Sequence, residues 1–293
     1  MQSRGAAIGS FFQDAAHWWY VTSDKPDTRE LLGVFVAVPL VLTLIWISPI
    51  GYEWAFDLSA GSIFESPHVF VSAYTLSYVH LDGQHLFDNI LNYWVTVAAI
   101  YPLAGVAQWR TQFRTAVLCY VTIAPPAIAW LTLSTLGTMT DQATLGFSGL
   151  NATLIGFLLV VLFAAVGSVS DNKITPLWAI VPFALAVTVS LGTQVGTPIG
   201  VPMVALVVVG SLGTVGAVFL FRSRSKLGAI TQNEQLALLI GGTVATFGIF
   251  GALVLVGNRT NVWGHLGGFL FGFTMPYVAF AVVPAATRLL VPE

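Results

Sequence analysis

The sequence predicts an all-α fold, a polytopic transmembrane helical bundle of about eight spans. Three observations predict it. Of the 293 residues, 56% are hydrophobic, and the mean hydropathy is +0.82. Only 8% are charged, against roughly 25% in a soluble domain, too few to cover a soluble surface of this size. The apolar residues also gather into runs of about 20, the length a helix needs to cross the hydrocarbon core. The net charge of −2 gives no footing for nucleic acid. Cys119 is the single cysteine, so an intrachain disulfide and a cysteine-based metal site are excluded. It lies in an apolar run and reads as a buried structural thiol.

In chain order, residues 1–30 form a cytoplasmic N-terminal segment. They mix Asp14, Asp24, Lys25, Asp27, Arg29 and Glu30 with apolar residues. The charged start, apolar core and small-residue cleavage site of a signal peptide are lacking. Phe11, Phe12, Trp18, Trp19 and Tyr20 are placed to form an interfacial segment, because aromatic rings favour the headgroup region. A partly ordered tail is the alternative. Eight apolar runs follow, at roughly 31–50, 81–102, 113–136, 148–168, 175–193, 198–221, 236–257 and 262–286. The stretch from 175 to 221 is too long for one crossing, and the Gly/Pro cluster between Gly192 and Pro198 is its natural turn. Residues 288–293 form a short cytoplasmic tail.

Positive charge gathers on the cytoplasmic side of membrane proteins. With the N-terminus inside, every Lys and Arg falls on that side except Arg259. Arg110, Arg114 and the Arg222-Ser-Arg224-Ser-Lys226 run read as topology determinants. An even number of spans returns the C-terminus inside, and the expected location is the cell membrane. The fourth and eighth spans then run in the same direction, from outside to inside. Ser148 starts the one and His265 lies near the start of the other, so both fall in the outer part of the bilayer.

Unpaired polar atoms are costly in hydrocarbon, so the polar groups at this depth are the candidates for chemistry. Ser148 stands in Gly146-Phe147-Ser148-Gly149, where a helix start offers free backbone N–H groups and the positive end of a dipole. Gly146 and Gly149 leave space for a peptide backbone to approach. The alternative use of Ser148 is as a helix N-cap. The second span begins with His80, His85, Asn89 and Asn92. His85 and Asn89 are four apart and share one helix face, and both can donate hydrogen bonds to a developing oxyanion. Interhelical hydrogen bonding is their structural alternative. Asp88 lies one position off that stripe and reads as a structural hydrogen-bonding group. In the last span, His265, Gly268 and Gly272 lie on about one face, and the glycine pair lets two backbones come close. Gly149, Ala152 and Gly156 of the fourth span are the natural counterpart, which would carry His265 to Ser148.

His80-x4-His85-x3-Asn89, Gly146-x-Ser148-Gly149 and His265-x2-Gly268-x3-Gly272 together resemble the rhomboid intramembrane serine proteases. The likeness covers roughly residues 31–168 and 236–286. It implies a rhomboid-like six-helix core with an extra helix pair. It also implies a serine endopeptidase that cuts substrates in or near a transmembrane helix, working without cofactor or metal. Ser148 would be the nucleophile and His265 the general base, as a dyad. His85, Asn89 and the Ser148 backbone N–H would form the oxyanion hole, with His80, Gly146, Gly149, Gly268 and Gly272 in structural roles nearby. The implied partners are transmembrane protein substrates and the lipid bilayer.

The chain departs from the family pattern in three places. Three spans rather than one separate the serine and histidine helices. Ala152 stands where many members carry an aromatic residue that supports the histidine, so His265 must be positioned otherwise. The Trp-Arg pair common in the first outer loop is absent, and that loop holds Trp54, Phe56, Phe64, Phe70 and Tyr74 instead. Two other functions compete: an inactive relative that binds transmembrane helices, and a small-solute transporter.

Overall fold

A computed structural model describes residues 2–48, 52–137, 143–170, 174–194, 230–256 and 260–290. Its helices are α1 (Gln2–Thr22), α2 (Thr28–Ile47), α3 (Pro67–Thr75), α4 (Gly83–Val106) and α5 (Arg110–Thr122). They continue with α6 (Ala124–Leu136), α7 (Ser148–Val169), α8 (Pro176–Thr193), α9 (Gln232–Val254) and α10 (Val262–Thr287). One short antiparallel pair, β1 (Phe56–Asp57) and β2 (Ala143–Thr144), sets Phe56 opposite Thr144. Otherwise the described residues are all-α.

Among the described residues, five helices, α2, α7, α8, α9 and α10, are long and apolar enough to cross a membrane. Helices α5 and α6 make a sixth if the bent pair counts as one span. Two of the eight expected spans differ in form, and a third lies outside the described residues. The second run forms α4, 24 residues long, but Gln84, His85, Asp88, Asn89 and Asn92 make its first half too polar to count as an apolar crossing. The third run breaks by 52° between α5 and α6. Pro125 and Pro126 cause this, because proline has no N–H to give the preceding turn. The Val121 carbonyl, four residues before Pro125, accepts instead from the hydroxyls of Tyr74, at 3.0 Å, and Tyr78. The sixth run, 198–221, lies outside the described residues.

Helix α7 is the axis of the bundle. In its apolar window 72% of the residues are buried, against 11% for α2, which is peripheral. Asn151 of α7 meets Asn89 of α4, and Ser168 Oγ donates to Val106 O at 3.0 Å. The two helices therefore run parallel. Helix α10 makes the most extensive contact with α7, also in parallel. A methyl group at Gly268 would collide with Gly149 O, one at Gly272 with Thr153 O, and one at Gly156 would lie 2.6 Å from Phe273 N. These backbones touch, which only glycine permits at such points. Tyr120 donates to Gly272 O at 2.6 Å and locks α5 against the pair. Helix α9 runs the opposite way, with Gly241 against Leu103 and Gly248 against Ile155.

The starts of α4, α7 and α10 thus share one end of the bundle. The ion pairs among the described residues hold the other end. Arg110 pairs with Glu30 and lies 3.5 Å from Asp24, and Arg114 is 3.9 Å from Glu30. Arg110 is therefore a tie between helices. The N-terminal segment is helical rather than a loose tail, and its end docks here. Trp19 donates to Ala98 O at 2.8 Å and packs on Phe35 and Tyr101, while Trp18 reaches Asn233 O at 3.4 Å.

Candidate active site

The α4 side of the site is built on a cap. Asp82, extended at φ −151°, accepts from His85 N–H at 2.8 Å and starts the helix there. His85 and Asn89 then follow on one face. His80 lies before the cap, buried, with its ring edge-on to His85 at 5.2 Å. Burial, and next the nearby His85, push its pKa from 6.5 down to about 4. It is a buried, neutral packing residue.

Asn89 is buried, and Asn151 of α7 holds it. Asn151 Nδ2 donates to Asn89 O at 3.0 Å and approaches Asn89 Oδ1 at 3.4 Å. With its oxygen engaged, Asn89 presents Nδ2, a buried donor that has no partner. The Asn89 donor lies beside Gly146. A methyl group there would fall 3.7 Å from Asn89 Nδ2 and 2.7 Å from two ring atoms of His85. Gly146 also has φ +120°, a conformation open in practice to glycine. Its N–H donates to Leu76 O at 2.8 Å, which anchors the turn into α7.

Ser148 is the first residue of α7. The N-cap position belongs to Phe147, which has no capping side chain. The serine is therefore not spent as a cap, and its N–H is among the first-turn donors that lack a helical acceptor. His85 and Asn89 of α4 both adjoin the turn at Gly146 that leads into Ser148, although neither lines the cavity that holds Ser148 and His265.

His265 is buried, and its orientation comes from α9. That helix ends in a π-helical turn over Phe250–Val254, closed by Leu255 N–H to Phe250 O at 2.8 Å. Carbonyls in a last turn have no helical donors. One of them, Ala252 O, lies 2.8 Å from His265 Nδ1. A carbonyl only accepts, so Nδ1 carries the proton and Nε2 of the neutral ring holds a lone pair. Nε2 is buried without a partner. Asn261 caps α10 by accepting from Gly264 N–H at 2.8 Å, and it donates to Thr144 Oγ1 at 2.8 Å. These bonds fix the start of the histidine helix. Ala152 gives no ring to support His265; the Ala252 carbonyl supplies the support.

Ser148 and His265 line one cavity of about 440 Å³ with Asn92, Asn151, Ala152, Phe247 and Ala252. The structure brings the pair together there but joins them by no hydrogen bond. Catalytic contacts of free enzymes are often long and tighten when substrate binds. Gly149, Gly268 and Gly272 sit at the α7–α10 contact and not in the cavity. Asp88 accepts from Gln84 Nε2 at 2.7 Å on the exposed side of α4. Sequence reasoning missed Asn151 and Ala252. Asn151 had a signal, a lone amide in an apolar run; a main-chain carbonyl has none. Comparison with protein-family models, with curated proteins and with solved structures gives no match to this chain.

Proposed function

We propose that this chain is an intramembrane serine endopeptidase of the rhomboid type, cutting transmembrane substrates in or near their membrane helix. The observation that carries the reading is His265. Its Nδ1 is bound to Ala252 O, its Nε2 is buried without a partner, and the residue lines the same cavity as Ser148. In the reaction, Nε2 takes the Ser148 proton as Oγ attacks the scissile carbonyl. The carbonyl oxygen becomes an oxyanion, met by Asn89 Nδ2, His85 and the Ser148 N–H. The imidazolium then passes its proton to the leaving amine. Water repeats the sequence and frees the serine. Positive-inside topology puts this end of the bundle toward the outer face, where water reaches the cavity.

Replacing Ser148 with alanine is expected to abolish cleavage of a single-span reporter while the protein still folds and inserts. Retained cleavage refutes the assignment. One observation favours a second reading, an inactive binder of membrane helices: the pair makes no hydrogen bond in this state. Labelling of the folded wild-type protein, but not Ser148→Ala, by a fluorophosphonate probe separates the two.

A further inference from the structure

The first half of α4 carries a second polar row, distinct from His85 and Asn89. Gln84, Asp88 and Asn92 follow at four-residue steps and so lie along one side of the helix, all exposed. Asp88 accepts from Gln84 and pairs with no cation among the described residues. At 3.6 residues per turn, Asp88 points about 40° from Asn92 and about 20° from Val95. Asn92 and Val95 both line the cavity of Ser148 and His265. Asp88 therefore lies on the side of α4 that turns toward this cavity between α4 and α9, one turn nearer the helix start, although it does not itself line the cavity. The opposite wall offers Thr243, Phe247 and Gly251, uncharged and exposed. A methyl group at Gly251 would meet nothing within 4 Å. The gap is open at its side, polar on α4 and neutral on α9.

We infer that the Gln84–Asp88–Asn92 edge docks the substrate's unwound segment and sets a basic side chain of it against Asp88. This rests on the protease reading of the same cavity. Two physical points select the occupant. A chain that leaves its helix within a bilayer exposes N–H and C=O groups that must find partners, and the Gln84 and Asn92 amides can serve them. Asp88 has no cation partner among the described residues, and a lysine or arginine of the substrate supplies one. Because Asn92 belongs to the cavity, a segment lying along this edge leads to Ser148.

The test uses single-span reporters in lipid nanodiscs, with Lys, Gln or Glu just outside the cut. Kd is measured with Ser148→Ala, which binds without cutting, and kcat/KM with the active protein. The Lys reporter is expected to bind about fivefold tighter than the Gln reporter, the factor one half-exposed ion pair supplies. In the Asp88→Lys background the Glu reporter should bind best. An order unchanged by Asp88→Lys overturns the inference, as does the lack of saturable binding. A variant that changes only the number of protein copies per particle assigns the edge to a second copy and also overturns it. Failure of the protease reading looks different: the charge order of Kd holds, but the active protein cuts nothing.

Discussion

Replacing Asn151 with aspartate is expected to remove most of the proposed activity, although Asn151 takes no part in bond making. Its Nδ2 serves Asn89 O at 3.0 Å and Asn89 Oδ1 at 3.4 Å. The first is an ordinary hydrogen bond and the second a stretched one. Losing them costs about 1 kcal/mol net, or up to about 3 kcal/mol if the Asn89 acceptors stay dry. The larger effect is on orientation. A carboxylate at position 151 accepts where the amide donated, so the Asn89 amide turns its Nδ2 toward it. The oxyanion site then loses that donor, and removing such a donor costs about 10²–10³ in kcat. Asn151→Asp should therefore approach Asn89→Ala, with KM little changed. Asn151→Leu, which frees the amide without recapturing it, should lose less. The assay is kcat and KM on a reporter in nanodiscs, with chemical unfolding alongside. The two losses should not add in the double variant, because both remove one donor. Activity in Asn151→Asp within about twofold of wild type, or losses that add, would refute the reasoning.

Gly272→Ala should destabilise the protein by about 1–3 kcal/mol, the usual cost of forcing extra volume into close packing, because the new methyl meets Thr153 O; denaturant unfolding in detergent checks this. Gly146→Ala should lose activity out of proportion to stability, since the methyl would push on the His85 ring at 2.7 Å and force φ +120° on a residue with a side chain; kcat compared with unfolding midpoint tests it. His80 gives a pH dependence. Its pKa is about 4 when folded against 6.5 ordinarily, so its contribution is complete above 6.5 and is lost as pH falls toward 4. At most roughly 3 kcal/mol is at stake, and His80→Gln should flatten stability over that window.

Packing between the serine and histidine helices was readable because glycine spacing carries its own geometry. Gly149, Ala152 and Gly156 oppose Gly268 and Gly272 whatever surrounds them, and α7 and α10 do meet backbone to backbone. The parallel direction of α4, α7 and α10 was readable from charge placement. The break at Pro125-Pro126 had a signal that hydropathy overrode: apolar content ran on through residues where hydrogen bonding could not. Helix α4 lies where a helix over roughly 81–102 was expected, and its polar first half is helical by capping at Asp82 and by contact with α7, not by apolarity. Asn151 was hidden because one amide in an apolar run has no periodicity. The place of α9 was not readable, because nothing in residues 236–257 names the carbonyl that would meet His265.

That carbonyl has a consequence for how such a site tolerates change. When a side chain steers a catalytic ring, one substitution can erase the steering. Here the oxygen belongs to the main chain at Ala252, and exchange of its side chain leaves it in place. The support is inherited with the path of a helix end. An insertion or deletion that shifts the last turn of α9 should harm the site more than any replacement at position 252. Ala152, facing the cavity without an aromatic duty, is free to set its width.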